Sequence, residues 1–381
     1  MNRFTKLVFT VVTGLGVWTS PLPAQLGDLG FDLGGLVRAA ESGDAESQFQ
    51  LGVRLALGEG AKKNPEEGAK WLEKAANGGH AKAMHVLGSL YDEGAGVEQS
   101  PELAAKWYQR AVEKDLPDAM MALAMLLQNG RGVEKNAEKA TELAKKAADA
   151  DYTPAQTFYA SKLVQGDGVA KNPSKGAVWY LKAAKQDHPF AQRQLAYLYY
   201  TGNGVPLDYE RCQAWYRRAV TVSQDPWAKN DLAWFLSTCP DSKFHNAEEA
   251  ISTAKSAVMA LEMDAGQQRH EMIDTMAAAL ARNGQFPEAI VWQKRSLSLL
   301  SEDKDATPEE VTKLTAEFND RLKQYQSKKP YTEKPASATP DAEPLFNDTI
   351  LQDGNSSERP ERDPLLQQRP RAKGKKNNNA A

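Results

Sequence analysis

Apolar residues recur along this chain in two alternating helical registers. The first reads Leu51-Gly52-Leu55, Leu87-Gly88-Tyr91, Leu123-Ala124-Leu127, Tyr159-Ala160-Leu163 and Leu195-Ala196-Tyr199. Large residues four apart form a stripe along one helix face, and the small residue between them lets a neighbouring helix come close. The second register places Trp71, Trp107, Leu143, Trp179 and Trp215 four residues before Ala75, Ala111, Ala147, Ala183 and Ala219. Between the registers lies a Gly-x-Gly pair that begins at Gly58, Gly94, Gly130, Gly166 and Gly202, at a constant interval of 36 residues. A fixed period of this length is the signature of a stacked repeat.

The residues between the registers show where each helix starts and stops. Asn64, Ser100, Asn136, Asn172 and Asp208 stand six residues after the first glycine of each pair. All five are good helix N-caps, whose side-chain oxygens satisfy orphan backbone N–H groups. Pro65, Pro101 and Pro173 follow at the first helical position, where a proline loses no hydrogen bond. Lys74, Arg110, Lys146, Lys182 and Arg218 fall in the last turn, where positive charge complements the helix dipole. Each unit is therefore a helix A, a Gly-x-Gly turn and a helix B. One hairpin cannot bury its apolar face alone, so the units stack. The expected fold is all-α: a right-handed α-solenoid, or superhelix, of antiparallel helix hairpins. In this setting the tryptophans read as core wedges and the glycine pairs as turns. A phosphate-binding loop would need a preceding strand and a following lysine and hydroxyl residue, and neither is present.

The pattern Ala-x3-Leu-Gly-x2-Tyr-x2-Gly-x-Gly-Val, followed by Lys-Ala-x2-Trp-x2-Lys-Ala-Ala, resembles the Sel-one-like repeat (SLR) family, a relative of the tetratricopeptide repeat (TPR). Five copies span 45–225, and 81–117 is the fullest match through Ala83, Leu87, Gly88, Tyr91, Gly94, Gly96, Val97, Trp107 and Ala111. The third copy departs at Leu143 and Ala124. Residues 25–44 read as a glycine-rich linker followed by a capping half-repeat. Beyond 225 the period fails, but helical pairs continue over 226–329. The run from Ala278 to Ile290, with Gly284 and Ala289, is similar to a TPR unit. A last helix from Thr307, capped by Pro308-Glu-Glu310, reads as a lid on the stack.

The two ends differ from the middle. Arg3 and Lys6, an apolar run from Leu7 to Trp18 and a small-residue region ending at Ala24 read as a signal peptide over 1–24. The run falls short of the roughly 20 apolar residues of a membrane span. The expected location is periplasmic or secreted. From 330 to 381, prolines, serines and charges without periodicity read as a disordered tail, acidic from Asp341 to Asp363 and basic from Arg369 to Lys376. The net charge of −3 over 381 residues gives no argument for nucleic acid or a membrane surface.

Catalytic signals are weak throughout. The five histidines, His80, His85, His188, His245 and His270, lack metal-ligand spacing. No serine or cysteine nucleophile stands beside a base in any known motif, and no cofactor motif is present. The two cysteines, Cys212 and Cys239, lie on helices that the stack would make neighbours. They either form a disulfide that staples the two repeat types together or remain two buried thiols. In the SLR and TPR families the A helices line a concave groove that binds partners. That resemblance assigns partner contact to His85, Met121, Met125, Arg193, Tyr197 and Tyr200. The function expected is a non-catalytic, exported scaffold for a protein or peptide partner. The alternatives are a cell-wall or polysaccharide-binding envelope protein and a β-lactamase-like hydrolase. The latter group carries a cysteine pair in every repeat, which this chain lacks.

Overall fold

The computed structural model describes residues 33–265, 269–337, 344, 345, 348 and 350. The signal peptide, residues 25–32 of the linker and residues 351–381 of the tail lie outside the described residues. Among the described residues the fold is an all-α solenoid without strands. α1 (Leu33–Glu41) precedes five hairpins: α2 (Ala45–Leu57) with α3 (Pro65–Asn77), α4 (Ala81–Glu93) with α5 (Pro101–Val112), α6 (Pro117–Asn129) with α7 (Ala137–Asp149), α8 (Thr153–Gln165) with α9 (Pro173–Lys185), and α10 (Pro189–Thr201) with α11 (Tyr209–Ser223). Two further hairpins follow, α12 (Pro226–Thr238) with α13 (Ala247–Ala265) and α14 (His270–Arg282) with α15 (Phe286–Glu302), before the closing helix α16 (Pro308–Gln326). A short 3-10 turn at Ser242–Phe244 lies within the longer α12–α13 loop. Each helix packs mainly on its sequence neighbours, and α12 also packs on α14.

The turn chemistry is that expected from the sequence. The first glycine of each pair ends its A helix in the left-handed region, at φ 83°, 73°, 69°, 80° and 63°. A residue with a Cβ adopts that conformation at a cost, so glycine is favoured there. The N-cap residue then closes the turn. The backbone N–H groups of Asn64, Ser100, Asn136, Asn172 and Asp208 donate to carbonyls near the end of the A helix at 2.7–3.0 Å. Their side chains cap the B helices. Two of the scattered histidines have the same kind of task. Nδ1 of His80 and of His188 accepts from the N–H of Ala83 and Ala191, at 3.0 and 3.3 Å. Burial lowers the pKa of His188 to about 4, so it caps as the neutral ring.

The second glycine of each pair sets the spacing between repeats. A Cβ on Gly96, Gly132, Gly168 or Gly204 would lie 2.1–2.4 Å from backbone atoms of Pro65, Pro101, Ala137 or Pro173, the first residue of the preceding B helix. Gly60 has no SLR unit before it, and a Cβ there would meet only Nη1 of Arg54 at 3.7 Å. Within hairpins the small residues work as expected. A Cβ on Gly88 would lie 2.6 Å from the Tyr108 ring, and one on Gly52 2.9 Å from the Gly68 carbonyl.

One expectation about the core is corrected, and one open alternative is resolved. Trp71, Trp107 and Trp179 are half-buried, not central. Their indole faces carry Lys74, Arg110 and Lys182 at 3.7, 4.3 and 3.9 Å, one helical turn on. The next residue along, Leu72, Tyr108, Ala144, Tyr180 or Tyr216, fills the space against the neighbouring helix. Trp215 alone among the four tryptophans at this position is buried. Cys212 and Cys239 are both free, and each is buried in the same apolar cluster with Tyr200, Phe235 and Phe244. Of the two arrangements left open by the sequence, two buried thiols is the one observed. Burial raises both thiols, Cys239 to about 12, which leaves them as apolar filling rather than reactive groups.

Gly132→Ala should destabilise the protein by ~3 kcal/mol: about 1 kcal/mol for the left-handed backbone and the rest from overlap with Pro101. Gly60→Ala should lose only about 1 kcal/mol. Urea denaturation followed by circular dichroism would compare them, and equal losses would refute the backbone contact between repeats.

Candidate partner-binding surface

The A helices α4, α6 and α10 carry all six residues singled out for partner contact. Four of them are partly buried, each keeping some open surface: His85, Met121, Met125 and Tyr197. The His85 ring lies 5.6 Å from that of Tyr108, and burial lowers its pKa, so it is neutral at pH 7. Met125 helps to line a shallow cleft with Tyr108, Ala122, Leu126 and Asn129. The ion pair between Arg131 and Asp92 also borders this cleft. The surface is therefore aromatic and thioether in character, with one ion pair beside it, which suits adaptable recognition of another protein surface.

The other two residues are not on the open surface. Arg193 is only 3% exposed, and its Nε donates to Oδ2 of Asp231 at 2.7 Å. Its Nη1 reaches Asp225, the N-cap of α12, at 3.3 Å. An arginine enclosed by two carboxylates from the next hairpin is a structural link between the two repeat types. Asp231 is itself buried, and desolvation raises its pKa despite the arginine beside it. Tyr200 is 8% exposed and belongs to the aromatic cluster with Tyr209 and Phe235. Its hydroxyl donates to Glu333.

That last bond leads to a feature the sequence did not reveal. The tail does not leave the molecule at 330. Residues 331–337, without regular secondary structure, lie against the C-terminal ends of three A helices. Arg282, the last residue of α14, donates from Nη2 to the Tyr331 carbonyl at 2.6 Å and to Oγ1 of Thr332 at 2.8 Å. The Glu333 N–H donates to the carbonyl of Thr238, the last residue of α12, at 2.8 Å. The Glu333 carboxylate accepts from Trp234 Nε1 at 3.0 Å and from the Tyr200 hydroxyl near the end of α10. Farther along, Asp348 accepts from the Tyr199 hydroxyl and from Trp215 Nε1 at 3.4 Å, with Arg211 Nε at 3.7 Å. Leu345 and Ile350 pack on the same apolar cluster. Aperiodic, proline-rich sequence hides such a strap, because its contacts lie far away in the chain. The acidic character of the tail was its one visible signal.

With the geometry established, comparison with known proteins adds the following. A family model described as the Sel1 repeat matches residues 45–80, 81–116, 117–152, 153–188 and 189–221. The solved structure of a Sel1 repeat protein from Oxalobacter formigenes is similar, with 28% identity, 61% of this chain and 92% of that chain covered, and a TM-score of 0.55. A second is c5321, described as a protective antigen of uropathogenic Escherichia coli strains with an SLR fold. It shows 24% identity over 78% of this chain and 72% of that chain, with a TM-score of 0.59. No curated protein sequence matches.

Arg193→Met should lower stability by about 3–5 kcal/mol, because it leaves Asp231 buried without its partner. Adding Asp231→Leu should recover most of the loss. Urea unfolding midpoints of the single and double variants would measure both effects, and a loss below about 1 kcal/mol for Arg193→Met would show that the pair does not link the hairpins.

Proposed function

We propose, from the five Sel1 repeats that the family model matches between 45 and 221, that this chain is an exported, non-catalytic scaffold that holds a protein or peptide partner on its A-helix surface. Sel1 repeats generally serve as scaffolds for protein–protein interaction. The observation that carries the reading to this chain is the set of partly exposed His85, Met121, Met125 and Tyr197 on the A helices α4, α6 and α10. Met and Tyr present apolar area with adaptable shape, which is the chemistry of a recognition surface. Among the described residues no helix is long and apolar enough to cross a membrane.

Export rests on the first 24 residues and has its own readout. The protein recovered from outside the cytoplasm should begin at Gln25, as read by N-terminal sequencing or intact mass. A chain that keeps Met1 there would sink this part of the proposal.

For partner binding, a photo-reactive residue at Met125 or Tyr197 should cross-link a protein in cells of the source organism. The same group at Val178, which is 44% exposed on the B helix α9, should not. Alanine at both Met125 and Tyr197 should weaken capture of that partner at least ~10-fold, since such anchors are each worth about 1–2 kcal/mol. Equal cross-linking from both faces would overturn the assignment of the surface.

A further inference from the structure

The strap contacts share a chemistry and a place. Every polar anchor on the helices lies near the edge where A helices end and B helices begin. Tyr199 and Tyr200 are in the last turn of α10, Trp234 and Thr238 in the last two turns of α12, and Arg282 at the end of α14. Arg211 and Trp215 stand in the first two turns of α11. The strap is held mainly by two carboxylates. Glu333 accepts from Trp234 and Tyr200, and Asp348, only 1% exposed, accepts from Tyr199 and Trp215 with Arg211 alongside. The Glu333 N–H to Thr238 adds a main-chain bond. The Tyr331 ring lies 6.0 Å from that of Trp234, and the Arg321 guanidinium sits 5.2 Å over the Tyr331 ring.

We propose that this edge is a docking track for acidic peptides, that residues 331–337 together with Leu345, Asp348 and Ile350 are its built-in occupant, and that a partner segment bearing carboxylates binds by displacing them. The proposal rests on the scaffold reading above and deepens it by naming a site and a partner chemistry. Three features favour a replaceable occupant over a permanent part of the core. The strap supplies no helix. Its two carboxylate anchors are separate, so they can release one at a time. The donors that hold them are Tyr hydroxyls, Trp N–H groups and one arginine, all of which water can serve when the carboxylates leave. The tether makes the strap a competitor at an effective concentration on the order of millimolar. A partner must therefore bring the same anchors together with additional contacts, of which the partly exposed Tyr197 on α10 offers one.

The test uses the full chain and a fluorescein-labelled synthetic peptide with the sequence of residues 331–350. Glu333→Ala with Asp348→Ala removes the anchors from the tethered strap and leaves the track intact. Fluorescence anisotropy should show the peptide binding this variant at least ~10-fold more tightly than wild type. A peptide with both acids replaced by alanine should bind at least ~10-fold more weakly. A second measurement needs no variant. On wild-type protein, saturating peptide should increase hydrogen exchange at the Glu333 amide, which the strap otherwise holds against Thr238. Equal binding of the acidic and alanine peptides, or an unchanged Glu333 amide under saturating peptide, would overturn the proposal. So would concentration-dependent dimerisation of the double variant that blocks peptide binding, because the occupant would then be a second copy. If the peptide fails while Met125 and Tyr197 still cross-link a partner, the track is refuted and the scaffold reading stands.

Discussion

At Gly96, Gly132, Gly168 and Gly204 one repeat touches the backbone of the repeat before it, with no side chain between them. The first residue of each preceding B helix lies where a Cβ would be. Side-chain contacts can adjust by changing rotamer, but backbone against backbone cannot, so these four contacts hold the interval between hairpins within narrow limits. The contrast at Gly60, which has open space, marks the start of the register. A row of A helices at fixed spacing places the residues of the proposed surface, His85, Met121, Met125 and Tyr197, in register along the stack.

Beyond α11 the glycine contact has no successor, and the joint is made differently. Arg193 reaches forward to Asp225 and Asp231, and Asp274 is held by Arg321 at 2.9 Å and by Gln293 at 2.8 Å. Buried ion pairs contribute little net stability, but they tolerate few alternative arrangements, because an unpaired charge in the interior is costly. The first five hairpins are thus aligned by close approach and the last two by charge geometry. Both devices fix position, and both leave the apolar area to supply most of the stability.

The repeats were legible because their determinants are local. A glycine, a cap residue and a helix stripe lie within a few positions of one another, and their physics does not depend on distant chain. The tryptophans misled by one position. A period shows that a residue faces a neighbour, but not whether it sits at the centre of the contact or on its rim. Arg193 was legible as a large side chain on an A helix, but not as a buried one, because its partners lie in the next hairpin, past the point where the period fails. Cys212 and Cys239 were correctly placed close together, but their proximity did not make a bond. The strap was least legible of all. Extended chain with few backbone hydrogen bonds leaves no periodic trace, and Glu333 meets its partners 99 and 133 residues away.

A stack of hairpins that touch only their neighbours behaves as a one-dimensional chain, and such chains fray from their ends. The strap changes the connectivity of one end only. It leaves the closing helix, turns back across α14 and α12, and ties into the fifth hairpin. The C-terminal hairpins are therefore held from both directions, like interior units, while among the described residues α1 has a neighbour on one side. The two ends of this solenoid are mechanically unequal: the amino-terminal end can open one hairpin at a time, whereas the carboxy-terminal end must first let go of its own tail.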